Sequence, residues 1–201
     1  MPRYLGSLVV VGMVVGTAGA RAQSTGMPSF NAPYRAFERS EFAGVVSSPN
    51  GTGTGIEGSY RYAAGTLDVG LRAGMWDPGA GGKTELLLGA ELRNRMITHS
   101  VNFPLDGALV AGLGGSLVSG ASTMFVPVGL SLGRRIELSG SSLSIVPYVQ
   151  PTALLVVNSN TNLDFTMGFG ADLRVSRAAD LRFSAGIGDL HGLAFGVVWL
   201  H

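Results

Sequence analysis

His99 and Ser100 are adjacent in "RMITHSVN", and an imidazole beside a hydroxyl is the smallest set that could activate a serine nucleophile. On an extended chain neighbouring residues point to opposite faces, so the two can cooperate only if a turn falls between them. Asp189 and His191 in "GDLHG" are a second candidate, an acid with a base two residues on. They sit in a short turn with no second acidic pair at a matching position, so both are expected to be solvated loop residues. The third histidine, His201, ends the chain. Neither "GAGG" (79–82) nor "GLGG" (112–115) precedes a helix or carries the Lys that a phosphate-binding loop needs. With three His and no Cys, the expectation is no catalytic residue, no metal site and no cofactor.

What remains is charge, and the elements that carry it are strands. The stretch "NLDFTMGFGADLRV" (162–175) alternates Leu163, Phe165, Met167, Phe169, Ala171, Leu173 and Val175 with Asp164, Thr166, Gly168, Gly170, Asp172 and Arg174. The same period of two runs through 66–76, 84–93 and 179–188, each with one apolar face and one face of Gly, Ser and charges. About ten such strands are expected, near 37–48, 53–63, 66–76, 84–96, 106–117, 122–134, 142–157, 162–175, 179–188 and 192–200, of the ~9–11 residues that cross a bilayer at a barrel tilt. Turn signals such as "SPNGTG", "DPGAGG" and "NSNTN" separate them. Residues 93–107 are too long for a simple turn and leave a turn, a strand or a lid open, with eight strands as the alternative count. Residues 23–36 carry Pro28 and Pro33 without alternation and read as a flexible N-terminal tail.

The two faces must look somewhere. Charged residues are 13% of the chain, against about 25% in soluble domains. Lys83, in an expected loop, is the single Lys, so the polar faces lack the Lys that water-facing strands carry. The reading that fits is an all-β fold, a closed antiparallel transmembrane β-barrel of residues 37–201, with apolar faces to lipid and polar faces to a lumen. Closure is required because open sheet edges do not survive in hydrocarbon. The chain holds 31 Gly, and Gly on the lumen face reads as room for large neighbours across a small barrel.

Charge pairing gives a second line of argument. If Ala64-Gly65 is a two-residue turn, Arg61 faces Asp68 and Glu57 faces Arg72. Closing Val175 onto Ala179 puts Arg174 opposite Asp180 and Asp172 opposite Arg182. These eight residues are the candidate lumen ion pairs, and exchanging Arg61 with Asp68 is expected to recover much of the stability that either single change loses. Four acids against four bases leave no single-sign ring to select an ion.

The N-terminus places the chain in the cell. "MPRYLGSLVVVGMVVGTAGARAQ" has one basic residue before an apolar run from Leu5 to Val15, then overlapping small-x-small sites ending at Ala20 and Ala22. It reads as a secretory signal peptide, residues 1–22, cut after Ala22. Removing Arg3 and Arg21 from 14 bases leaves twelve against 13 acids, a net charge of about −1 and no electrostatic case for nucleic acid. Without Cys, disulfides, thiolate metal sites and an N-terminal lipid anchor are excluded.

With serial amphipathic strands, a leader, and a final strand "GLAFGVVWLH" that sets Leu193, Phe195, Val197 and Trp199 on one face, the chain resembles small bacterial outer-membrane β-barrel proteins, the OmpA-like transmembrane domain and opacity-type group. It departs from them at the end, Trp199-Leu200-His201, where such families finish on an aromatic residue. The resemblance implies a Gram-negative outer-membrane location and, as partners, membrane lipid, lipopolysaccharide and the barrel-assembly machinery, with a monomeric barrel. The function expected is non-enzymatic, structural or a narrow, porin-like passive pore that conducts poorly. The alternative is an outer-membrane enzyme acting on lipid A or peptides at the outer rim, which the short expected loops disfavour.

Overall fold

The computed structural model describes residues 23–33, 39–140 and 143–201. The expected leader, residues 1–22, and residues 34–36 of the expected tail lie outside the described residues. Among those described there is no α-helix. The strands are β1 (Glu41–Pro49), β2 (Thr54–Ala64), β3 (Leu67–Asp77), β4 (Glu85–Ile97), β5 (Asp106–Val118), β6 (Ala121–Gly133), β7 (Ile136–Glu137), β8 (Ser144–Val157), β9 (Thr161–Arg174), β10 (Ala179–Gly188) and β11 (Gly192–Leu200). The short β7 only folds back on β8 in the connection that precedes it. The other ten form an up-and-down antiparallel ring, closed where β1 pairs with β11 and where β6 pairs with β8. Eight strands, the alternative count, is thereby set aside.

Residues 93–107 resolve into the end of β4, a connection over 98–105, and the start of β5. The connection lies on the rim that also holds Ser40 and His201, and that rim is called the terminal rim below. Tyr60, Tyr62 and Trp199 sit at this end, Tyr62 and Trp199 exposed. The ring of His201 stacks on Phe42 with centroids 5.2 Å apart and on Tyr60 at 5.9 Å. Trp76 keeps its lumen-side parity at the opposite rim with no bulge in the β2–β3 register, and its indole lies beside Gly53.

The faces are inverted relative to a soluble protein. In β9, Leu163 and Phe165 are 59% and 60% exposed on the outside, while Asp172 in the same strand is 0% exposed. Ile56, Leu71, Leu88, Leu113, Phe183 and Leu193 continue the exposed apolar belt, and Glu41, Asp68, Glu91, Arg93 and Arg182 are buried inside the ring.

The first hairpin corrects the expected register. The turn is Gly65-Thr66, closed by Ala64 opposite Leu67, with Gly65 at φ 68°. Two-residue hairpins favour positive φ at the first central position, which glycine adopts without steric cost. The pairing therefore slips by two residues from the one expected, and a slip of two leaves every side chain on its original face. Arg61 now faces Gly70 and Glu57 faces Gly74, so Asp68 and Arg72 become diagonal neighbours. The β9–β10 register is the one expected, with Asp180 opposite Arg174 and Arg182 opposite Asp172.

Candidate functional site

Glycine opposite a long charged residue lets that side chain lie flat across the wall. A Cβ at Gly70 would sit 3.1 Å from the Arg61 guanidinium carbon, and one at Gly74 would sit 2.8 Å from Cγ of Glu57. Lying this way, Arg61 reaches three carboxylates: Asp68 at 2.7 Å, Glu91 at 2.7 Å and Glu41 at 3.6 Å. Arg72 joins Glu91 at 3.1 Å and stands 3.7 Å from Glu57. Arg93 donates to Asp68 at 3.0 Å, and Arg182 joins Asp172 at 2.8 Å and Glu41 at 3.3 Å. The chain of charges runs without a break from Asp172 through Arg182, Glu41, Arg61, Glu91 and Arg72 to Glu57, and all of it is buried.

Six of the eight expected residues, Glu57, Arg61, Asp68, Arg72, Asp172 and Arg182, are members of this network. Arg174 and Asp180 face each other in the ladder, and Asp180 is buried. Glu41, Glu91 and Arg93 join the network beyond those expected. Their signal was parity, since Glu91 and Arg93 occupy the polar face of β4, and the β1–β2 and β3–β4 registers place Glu41 directly opposite Arg61 and Arg93 directly opposite Asp68.

The second constituent of the lumen was not expected at all. Residues 23–33 run inside the ring, with Ser24, Met27 and Phe30 at 0% exposure, so a flexible tail does not describe them. Hydrogen bonds and glycine explain why they stay. The Ser24 hydroxyl bonds Glu91 at 3.1 Å, and the Ser184 hydroxyl donates to the Pro28 carbonyl at 2.9 Å. Arg182 donates to Oδ1 of Asn31 at 2.7 Å, and Arg72 to the Ser29 hydroxyl at 3.0 Å. The wall is cut away to admit the segment. A Cβ at Gly89 would lie 2.5 Å from the Ser24 hydroxyl, one at Gly55 would lie 2.7 Å from the Met27 sulfur, and one at Gly168 would collide with the Phe30 ring. Phe30 belongs to an apolar cluster with Phe125, Val146, Tyr148, Leu154 and Leu190. The lumen is therefore apolar on its β6–β8 side, where "SIVPYVQPTALLVV" carries apolar residues on both faces, and charged elsewhere.

This packing makes a prediction. Gly168→Ala should destabilise the folded barrel by about 1–3 kcal/mol through overpacking, and Phe30→Ala in the same chain should relieve it. The coupling is read from a double-mutant cycle in urea unfolding. Strictly additive costs would mean that Phe30 does not sit against Gly168.

The residues first considered for chemistry have other partners. Nδ1 of His99 stands 3.0 Å from the Asp106 carboxylate, which also accepts the His99 backbone N–H at 2.9 Å. The Ser100 hydroxyl accepts the Phe103 N–H at 3.2 Å, and no hydrogen bond joins it to His99 among the described residues. Asp189 accepts the Phe165 N–H at 2.8 Å, and the His191 carbonyl accepts the Asn50 N–H. These contacts fasten connections at both rims. Among the described residues no group of three or more His, Asp or Glu is placed to hold a metal.

No protein-family model matches the chain, and no curated protein matches it. Among solved structures, the β domain of the Bordetella autotransporter Brka is similar with a TM-score of 0.50 at 13% identity, over 80% of this chain and 99% of that one. A de novo designed transmembrane β-barrel is similar with a TM-score of 0.41 at 16% identity, over 86% of this chain and 99% of that one. At such identities the likeness concerns the fold. The protein is a closed ten-stranded antiparallel barrel of the transmembrane type, its charges turned inward and its apolar belt turned outward.

Proposed function

We propose that this chain is a non-enzymatic outer-membrane β-barrel whose resting lumen is closed, with a structural role in the envelope and at most a narrow passive leak. The observation that carries the reading is the lumen itself, crossed by an unbroken, buried chain of ion pairs and filled beside it by residues 23–33. Opposed charges at this spacing leave no ring of one sign to draw an ion through. In this reading residues 1–22 direct export and are removed, the barrel is inserted by the assembly machinery, and it stands as a monomer in lipid and lipopolysaccharide. The structural use of His99, Ser100, Asp189 and His191 weighs against the enzyme alternative.

The expected result in planar bilayers is an absence of steady conductance from the unmodified protein. The same preparation should migrate differently on gels before and after boiling and should fractionate with the outer membrane. A steady, strongly ion-selective conductance refutes the closed lumen, and recovery as a soluble periplasmic protein without detergent refutes the location.

A further inference from the structure

Five successive main-chain carbonyls of the inner segment accept hydrogen bonds from lumen side chains. Pro28 receives Ser184 at 2.9 Å, Ser29 receives Arg72 at 3.0 Å, Phe30 receives the Tyr148 hydroxyl at 2.9 Å, Asn31 receives Ser131 at 2.8 Å and Ala32 receives Arg93 at 2.7 Å. The five donors come from five different strands, β10, β3, β8, β6 and β4. Residues 23–33 pair with no strand, so they are held as a ligand rather than as an additional strand. What the wall reads is chiefly the peptide backbone, with the Phe30 ring as the one large side chain set in an apolar recess. The geometry points to the lumen as a peptide-binding site for a segment without charged side chains and with one aromatic anchor, occupied in cis by residues 23–33, which makes the closed barrel a self-liganded channel. The inference rests on the closed-barrel reading above and deepens it.

Two features make the occupant exchangeable. "QSTGMPSFNAP" carries no charged side chain, so its departure breaks no side-chain ion pair, and Arg72, Arg93 and Arg182 keep the carboxylates they already hold in the wall. The far end of the segment is also poorly satisfied. Both polar atoms of the Gln23 side chain are buried without a hydrogen-bond partner among the described residues, which favours release of that end into water.

The test uses the full-length protein in planar bilayers, with gel mobility before and after boiling showing that each variant is folded. Phe30→Ala removes the anchor without touching the wall, and it should raise the frequency of open events at least tenfold over the unmodified protein. Phe30→Leu should give a smaller increase and serves if the Ala variant does not fold. A free peptide of residues 23–33 should return the variant to silence, and the same peptide with Phe30→Ala should need at least tenfold more. A lock is available because the chain has no Cys. A Cβ at Gly112 would lie 3.2 Å from that of Ser24, close to the ~3.5–4.5 Å of a disulfide. Adding Ser24→Cys and Gly112→Cys to the Phe30→Ala chain should therefore abolish openings when oxidised and restore them on reduction. A folded Phe30→Ala barrel as silent as the unmodified one, openings indifferent to the peptide, or openings that persist in the oxidised lock would each overturn the peptide site. Steady conductance from the unmodified protein would instead overturn the closed-barrel reading beneath it.

Discussion

Arg61→Leu should cost about 3–5 kcal/mol of barrel stability, the range for removing one partner of a buried ion pair. The expected size follows from what the guanidinium holds apart. Asp68, Glu91 and Glu41 all converge on it, at 2.7, 2.7 and 3.6 Å. Without it three buried carboxylates share one side of the lumen, and only Arg93, Arg72 and Arg182 remain to answer them. Urea unfolding in lipid vesicles measures the loss. The structure also changes what charge exchange should do. Placing Asp at 61 and Arg at 68 would set the new acid beside Glu91 and Glu41 and the new base beside Arg93, so the exchanged chain should remain nearly as unstable as the single variants. This differs from the two-residue expectation, in which exchange recovers much of the loss, because Arg61 and Asp68 each contact further charges.

The second large effect lies on the opposite face. Met167 is midway along β9 and points outward between the exposed Phe165 and Phe169. Met167→Arg should cost about 2–4 kcal/mol in bilayer refolding, the range for a basic residue on the lipid face at the midplane. The same substitution at Leu163, nearer the rim, should cost much less because the charge can reach the interface. Equal costs at the two depths would mean that this face does not cross hydrocarbon.

Strand identity and facing were legible because they depend on a period of two that each strand carries in its own residues. Phe165, Met167 and Asp172 could be assigned to faces from β9 alone. Register was less legible, since moving the turn from Ala64-Gly65 to Gly65-Thr66 leaves every face unchanged and only the positive φ at Gly65 separates the two. That slip turned Arg61 and Asp68 from direct into diagonal neighbours while preserving their contact. The inner segment was illegible because residues 23–33 have no periodicity of their own. Their recognition is written elsewhere, in Gly55, Gly89 and Gly168 on the wall and in donors scattered over five strands. The abundance of glycine was visible, but the guest it makes room for was not. In the same way, residues 142–157 read as a strand, but the apolar recess that Val146, Tyr148 and Leu154 build for Phe30 is a contact between segments distant in the chain.

The central claim is that this barrel turns its apolar residues to lipid and its polar residues to an enclosed lumen. Because the chain has no Cys, single spin labels can be placed in turn at each position from 163 to 169 in β9, with the protein in lipid vesicles. Collision rates with oxygen, which concentrates in the bilayer, and with a water-soluble nickel chelate then report each side chain's surroundings. Labels at Leu163, Phe165, Met167 and Phe169 are predicted to show high oxygen and low nickel accessibility, alternating with low oxygen accessibility at Asp164, Thr166 and Gly168. A label at Met167 that collides freely with the nickel chelate, or a series with no period of two, would contradict the account.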